Sequence, residues 1–147
     1  MKILFTAFKG VHNTSFRMVD QIGAESLLLT NSFLGLEKDI SSISGDYSMV
    51  YMFGVDKTLV DKVRIETYAS HNDETINTDF DIHCLEKMLR SGKIFYTVSD
   101  KPTHYLCNAA YYYMLKKNPN TVFIHIPSLK GMSIELMNKL IEIFRGI

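Results

Sequence analysis

Three side chains of reactive types stand in segments where the sequence predicts ordered structure. Cys107 lies early in a predicted helix, His125 lies near the end of the apolar segment 122–127, and Glu66 lies in a predicted strand. The positive end of a helix dipole favours a thiolate over a thiol, and a thiolate within reach of a histidine is a strong nucleophile. A carboxylate beside that histidine would orient the ring and stabilise the imidazolium. The three residue types are those of a nucleophile, a base and an orienting acid, the set that nucleophilic catalysis uses.

Each of these residues also has a structural interpretation. Cys107 shares a predicted helical face with apolar residues, and free cysteines are among the most buried residue types. A histidine in an apolar strand needs only one hydrogen-bonding partner to be tolerated there. Glu66 can pair with Arg64 on a solvated strand face. From the residue types alone, both interpretations stay open for all three positions.

The elements that must position these residues follow from hydrophobic patterning. Short apolar segments alternate with amphipathic ones, which predicts a three-layer α/β/α domain with a mixed, mostly parallel sheet. Strands are expected over residues 2–8, 47–55, 63–69, 94–98 and 121–126, and helices over 13–22, 80–90, 102–117 and 132–144. Segment 26–30 fits a strand or a helix end, 35–46 a loop or short helix, and 70–79 a surface loop. His125 then stands at the carboxyl end of a strand, where ligands of open parallel sheets bind.

Length and charge narrow the class of protein. The chain has 147 residues, which fits a single domain over residues 1–147, and its formal net charge is zero. A general nucleic-acid binder usually has a basic excess on one face, which this composition does not supply. No segment approaches the roughly 20 apolar residues of a membrane span. The apolar residues at the start predict a first strand rather than a signal peptide.

Cysteine count and motif spacing make further exclusions. Cys84 and Cys107 are the only cysteines, too few for a disulfide framework, so we expect reduced thiols and a cytoplasmic protein. His83 and Cys84 are adjacent on a predicted helix and point in different directions, so they do not form a metal site. Glycine-rich phosphate motifs are absent from the sequence. No metal or other cofactor is expected.

The segments around Cys107 and His125 resemble those of a known family. Residues 99–108 read SDKPTHYLCN and resemble the S-x-x-A-G-T-Y-L/V-C-N segment of pyroglutamyl peptidase I, also called pyrrolidone-carboxylate peptidase. Residues 123–127, FIHIP, are similar to its F-I-H-V-P. The opening KILFTAF resembles its first strand, K-I-L-V-T-G-F, and residues 131–137 resemble its closing helix. The resemblance is clearest over residues 94–147.

This resemblance implies roles for particular residues. Cys107 would be the nucleophile and His125 the base. The third residue would be Glu66, at the start of a pattern similar to the family's E-x-x-A-x-N, with Asp61 as the alternative. The loop after the first strand implies that Phe8, Gly10 and Asn13 help to bind substrate.

The resemblance also has departures. Family members are longer, and this chain lacks a large piece between its first strands. Thr103 replaces a glycine before the nucleophile, and Gly54-Val55-Asp56-Lys57 lacks the glutamine of the family's G-Q-A-G-G-R. Lactam recognition depends on paired donors and acceptors, so the specificity pocket is expected to be remodelled or lost.

The resemblance implies a cysteine peptidase that removes an N-terminal pyroglutamyl, or related lactam or acyl, group. Its expected partner is a small peptide or lactam-like substrate. The alternative is an inactive relative that serves as a binding or oligomeric module. An amidase acting on a different acyl group also stays open, as does assembly into a homo-oligomer.

Overall fold

A six-stranded sheet forms the middle layer of the structure, a computed structural model that describes residues 1–44 and 46–147. The strands of the chain are β1 (Ile3–Phe8), β2 (Ser26–Leu29), β3 (Met49–Val55), β4 (Val63–Glu66), β5 (Tyr68–His71), β6 (Glu74–Asn77), β7 (Tyr96–Val98) and β8 (Thr121–Ile126). The main sheet has the order β2-β1-β3-β8-β4-β7, and β5 pairs with β6 separately. All neighbouring strands of the main sheet run parallel except β4 and β8, which are antiparallel to each other. The predicted mixed, mostly parallel sheet is confirmed.

Helices cover both faces of the sheet. They are α1 (Thr14–Ile22), α2 (Phe33–Ser41), α3 (Ile82–Ser91), α4 (Tyr105–Lys117) and α5 (Ile134–Arg145). Helices α1, α3 and α5 contribute to one apolar core, whereas α2 and α4 contribute to the other. This is the predicted three-layer arrangement. Among the described residues, no helix has the length and apolar character that a membrane crossing requires.

Strand β8 shows how the two cores determine which way a side chain faces. All six of its residues are buried. Val122, Ile124 and Ile126 enter the core beneath α1, α3 and α5, while Phe123 enters the core beneath α4. Because side chains alternate along a strand, His125 shares the α4 face with Phe123.

Two segments differ from their sequence predictions. Residues 63–69 form parts of two strands rather than one, with Glu66 ending β4 and Tyr68 beginning β5. The predicted loop 70–79 contains the turn and the second strand of a β-hairpin formed by β5 and β6. Its turn residues Asn72 and Asp73 have φ of 51° and 58°, a left-handed conformation that asparagine and aspartate tolerate. The exposed polar residues of this turn have the same composition as a loop.

Smaller differences concern where elements begin and end. Segment 35–46 contains most of helix α2, which Ser32 caps through a hydrogen bond to the N–H of Gly35, while Gly45 lies outside the described residues. Helix α4 begins at Tyr105, three residues after Pro102. Strand β3 begins at Met49, two residues after the start of the predicted strand 47–55, and Gly54 lies within it.

Candidate active site

The antiparallel pairing of β4 with β8 brings charged residues to His125. Arg64 is the register partner of His125, and Glu66 is the partner of Phe123. The Nδ1 atom of His125 lies 3.1 Å from Oε1 of Glu66. The His125 side chain is 3% exposed and that of Glu66 is 1% exposed. A buried histidine and carboxylate therefore form a direct pair on the α4 face.

Arg64 contacts the same carboxylate and connects it to a third charge. Its Nε donates to Oε1 of Glu66 at 2.8 Å, and its Nη2 donates to Oδ2 of Asp56 at 2.7 Å. Nη2 also lies 3.4 Å from Nδ1 of His125. The pairing of Glu66 with Arg64, which the sequence offered as a structural alternative, thus coexists with the pairing of Glu66 with His125. Asp56, Arg64, Glu66 and His125 form one hydrogen-bonded cluster.

Hydrogen bonds keep both carboxyl groups of this cluster ionised. Burial would raise the pKa of Glu66, but the hydrogen bonds and charges of His125 and Arg64 outweigh it and lower that pKa. Burial likewise opposes ionisation of Asp56, but hydrogen bonds from Thr58 and Arg64 lower its pKa to about 2. Oε2 of Glu66 is buried without a partner among the described residues.

Cys107 lies on the same face of the sheet, one strand away from the histidine. It is the third residue of α4, and its sulfur lies over Gly54 of β3, the register partner of His125. A β-carbon added to Gly54 would come within 2.9 Å of that sulfur and 2.7 Å of Cζ of Phe123. The glycine allows α4 to approach the sheet closely at this point. Within the part of the chain that the structure describes, the thiol makes no hydrogen bond with His125.

The surroundings of Cys107 favour a thiol over a thiolate. Burial raises its pKa to about 12, and the negative charges of Glu66 and Asp56 act in the same direction, while Arg64 opposes them. The sequence had favoured a thiolate because of the helix dipole. That dipole is outweighed, because desolvation penalises the anion and the nearest charges carry a net negative sum.

The start of α4 leaves backbone donors beside the thiol. Its N-cap residue, His104, makes no side-chain hydrogen bond, whereas side chains cap the other four helices that the structure describes. The first intrahelical bond runs from the N–H of Asn108 to the carbonyl of His104. The N–H groups of Leu106 and Cys107 therefore precede the regular hydrogen bonding of the helix. Tyr105 has φ of 54°, a strained conformation for an aromatic residue.

Side chains of α4 also fix the helix against the strands. Asn108 accepts the N–H of Ser70 at 3.0 Å and donates to the carbonyl of the same residue, as a neighbouring strand would. The hydroxyl of Tyr111 donates to the carbonyl of Glu66 at 2.8 Å. The Asn108 bonds connect the helix that carries Cys107 with β5, and the Tyr111 bond connects it with the strand that carries the acid.

The remaining predicted residues have structural contacts of their own. Phe8 is buried at the end of β1, and its N–H donates to Oγ of Ser15. Gly10 has φ of 137°, and its carbonyl accepts the N–H of Asn13. The side chain of Asn13 caps α1 by accepting the N–H groups of Ser15 and Phe16. Asp61 accepts the N–H of Ser133 at the start of α5 and is not a partner of His125.

Sequence reasoning missed the part that Asp56 plays. Nothing near it in the chain predicts an ion pair, because its partner is eight residues away on a strand two positions across the sheet. The pairing of Arg64 with Glu66 had a weak sequence signal, because residues two apart on a strand share a face of the sheet.

The order of the sheet and the placement of the helices define a known class of fold, that of the pyrrolidone carboxyl peptidases. The chain superposes on the pyroglutamyl peptidase I of Bacillus amyloliquefaciens with a TM-score of 0.81 at 14% identity, covering 98% of this chain and 93% of that one. The pyrrolidone carboxyl peptidase of Thermococcus litoralis superposes with a TM-score of 0.79 at 18% identity, covering 97% of this chain and 90% of that one. That of Thermus thermophilus gives 0.76 at 16% identity, covering 97% of each chain.

The resemblance carried by the sequence motifs is therefore confirmed at the level of the fold. No protein-family model and no curated protein sequence matches the chain.

Proposed function

We propose that this protein is a cysteine peptidase that removes an N-terminal pyroglutamyl group, or a related lactam or acyl group, from peptides. The observation that carries the proposal is the buried hydrogen bond between Glu66 and His125, on the sheet face over which Cys107 is placed. The solved structures with this fold are described as pyrrolidone or pyroglutamyl peptidases, which supports the same reaction class.

In the proposed reaction, the sulfur of Cys107 attacks the carbonyl carbon of the acyl group and forms a C–S bond. Nε2 of His125 takes the thiol proton, while Nδ1–H stays bonded to Glu66. The C–N bond then breaks, and the imidazolium returns the proton to the leaving amine. Water attacks the thioester next, His125 accepts its proton, and the acid and the free thiol are released.

The high pKa of Cys107 favours proton transfer during the attack over a preformed thiolate. Asp56, Arg64 and Glu66 together carry one net negative charge when ionised. A lone thiolate beside them is disfavoured. The thiol can lose its proton when His125 accepts it, because the imidazolium then offsets the charge of Glu66.

Backbone donors at the start of α4 are suited to the oxyanion of the tetrahedral intermediate. The N–H groups of Leu106 and Cys107 precede the regular hydrogen bonding of the helix, and the helix dipole adds positive potential there. Donors fixed by the backbone need no rearrangement when the charge develops.

Ring recognition in this chain would differ from the pattern that the resemblance implies. The amide oxygen of Asn13 already accepts the first N–H groups of α1, and Val55 stands in the segment that lacks the family's glutamine. We therefore include lactam and acyl groups other than pyroglutamyl in the substrate class.

The test is hydrolysis of aminoacyl arylamides that release a fluorescent amine. The panel comprises the pyroglutamyl derivative, its prolyl analogue without the lactam carbonyl, and the N-acetylalanyl derivative. Cys107→Ala and His125→Ala should each abolish release of the amine. Cys84→Ser provides the matched control, because Cys84 is an exposed cysteine on a different helix.

A burst of amine equal to the enzyme concentration would identify the thioester intermediate. If folded wild-type protein hydrolyses no member of the panel and forms no acyl adduct at Cys107, the peptidase proposal is wrong. The protein would then be a catalytically inactive relative, for which binding partners are the next question.

A further inference from the structure

Nδ1 of His125 has two neighbours with opposite hydrogen-bonding requirements. Oε1 of Glu66, at 3.1 Å, can only accept a hydrogen bond, whereas Nη2 of Arg64, at 3.4 Å, can only donate one. A protonated Nδ1 therefore pairs with Glu66, and a bare Nδ1 pairs with Arg64. The two neighbours stabilise different tautomers of the neutral ring.

Only one of these tautomers can act as a base towards a thiol. With the proton on Nδ1, Nε2 has a free lone pair and can accept the proton of Cys107. With the proton on Nε2, that atom is a donor and the ring cannot take a proton there. If Arg64 donated a hydrogen bond to Nδ1, the proton of His125 would lie on Nε2. The ring could then not act as the base in the proposed reaction.

The contact that decides the outcome is the ion pair between Arg64 and Asp56. Oδ2 of Asp56 holds Nη2 at 2.7 Å, a distance shorter by 0.7 Å than that from Nη2 to Nδ1 of His125. The other oxygen of Asp56 accepts the N–H and the hydroxyl of Thr58, which fixes the carboxylate in place. The guanidinium therefore donates to Asp56 through Nη2 and to Glu66 through Nε, and these two bonds fix its position.

We propose that Asp56 is a positioning residue that acts through Arg64: by holding Nη2 away from Nδ1, it keeps His125 in the Nδ1–H tautomer. The catalytic consequence rests on the proposed function, but the tautomer itself does not. Among the described residues, Asp56 makes no hydrogen bond with His125 and acts through the position of the guanidinium. Nη2 carries two N–H groups, and by holding this atom at 2.7 Å, Asp56 keeps it 3.4 Å from Nδ1, which is long for the hydrogen bond that would compete with Glu66.

Asp56→Asn is the discriminating variant. Asparagine keeps an oxygen that accepts the two Thr58 hydrogen bonds, but it presents an NH₂ group to Arg64. Two donors then face each other, and the hydrogen bond between residue 56 and Nη2 is lost. The guanidinium then turns towards Nδ1, and the Nε2–H tautomer becomes populated. Adding Arg64→Met removes the competing donor, so the double variant should return to the Nδ1–H tautomer.

The readout is ¹⁵N NMR of histidine-labelled protein, recorded at increasing pH until the ring signals stop changing, so that the neutral tautomers are compared. The chain has five histidines, and the spectrum of His125→Gln identifies the signals of His125. Wild type and the double variant should show Nδ1–H, and Asp56→Asn should show Nε2–H.

Activity provides a second, separate readout. Since a hydrogen bond to a charged group is worth a factor of about ten or more, kcat of Asp56→Asn should fall about tenfold with KM unchanged. The double variant should recover part of that loss. An ion pair with a merely structural role would leave the double variant no better than Asp56→Asn.

The NMR result separates the two proposals. If His125 keeps the Nδ1–H tautomer in Asp56→Asn, the role of Asp56 is wrong whether or not the protein is an enzyme. If the tautomer changes as expected and no substrate is hydrolysed by wild type, the positioning role stands and the peptidase proposal fails.

Discussion

The hydroxyl of Tyr111 donates a 2.8 Å hydrogen bond to the backbone carbonyl of Glu66. The donor is on the helix that carries Cys107, and the acceptor belongs to the residue that pairs with His125. Burial raises the pKa of Tyr111, so the phenol stays protonated and remains a donor. This bond fixes the spacing between the helix of the thiol and the strand of the acid.

Tyr111→Phe should lower the free energy of unfolding by about 1–2 kcal/mol, because the buried carbonyl of Glu66 loses a donor and gains none. Urea denaturation measures this change. The control is Tyr113→Phe on the same helix, whose hydroxyl lies 3.5 Å from Nε2 of His71 and whose ring is partly exposed. Equal losses in both variants would contradict the assigned role of the Tyr111 bond.

Gly54 is the second contact between the helix and the sheet. Gly54→Ala would place a methyl group 2.9 Å from the sulfur of Cys107 and 2.7 Å from Cζ of Phe123. Overpacking of this kind costs about 1–3 kcal/mol of stability, and relief requires the thiol or the ring to move. We expect a lower unfolding midpoint and, if the protein is a peptidase, a larger relative loss of activity than of stability.

Gly146→Ala is the matched control for this substitution. A β-carbon there would find its nearest neighbour at 3.5 Å, in ordinary van der Waals contact. The free energy of unfolding of Gly146→Ala should differ from that of wild type by less than about 0.5 kcal/mol. A Gly54→Ala variant as stable and as active as Gly146→Ala would show that close approach of α4 is not needed at this site.

Most of the architecture was predictable because its signals are local. The six buried residues of β8 and the capping side chains of Asn13 and Ser133 have direct sequence signatures. The hairpin of β5 and β6 was not recognised, because two strands of four mostly polar residues show no apolar alternation and resemble a loop in composition. Segment 63–69 had the alternation of one strand, but nothing in it marks the change of sheet at Thr67.

The candidate site was predictable in its residue types and not in its electrostatics. Motif resemblance pointed to Cys107, His125 and Glu66. The protonation of the thiol depends on burial and on Asp56, which only the tertiary structure brings near. A helix-dipole argument from sequence considers one element, whereas the pKa of Cys107 also reflects burial and the charges of two residues on β4 and one that follows β3.

The acid stability of the protein should depend on Asp56. Its folded pKa of about 2 lies below the ordinary value of 3.8, so its contribution to stability is present above about pH 4 and is lost as the pH falls towards 2. Allowing for solvent screening of this partly exposed group, we expect Asp56→Asn to lose about 1–2 kcal/mol at neutral pH.

The difference in the free energy of unfolding between wild type and Asp56→Asn should shrink as the pH falls from 4 to 2. Urea denaturation at each pH measures it. Glu66 keeps a lowered pKa of its own, so some acid sensitivity should remain in the variant. A stability difference that stays constant down to pH 2 would mean that Asp56 is not held ionised in the folded state.

Alkylation by iodoacetamide measures the state of the Cys107 thiol directly. Because its pKa is raised to about 12, Cys107 should react slowly at pH 8, and its rate should increase steadily up to at least pH 10. The experiment uses Cys84→Ser protein, since Cys84 is exposed and would otherwise dominate the reaction. Mass spectrometry of the modified peptide follows the rate.

The charges around Cys107 make a signed prediction for the same measurement. Asp56 raises the thiol pKa, so Asp56→Asn should increase the alkylation rate at pH 9, whereas removal of the Arg64 charge by Arg64→Met should decrease it. Burial changes little in either variant, so opposite effects isolate the electrostatic contribution. Rapid alkylation of Cys107 at pH 7 in wild type would instead mean that a thiolate is already present, and proton transfer to His125 would then precede the attack rather than accompany it.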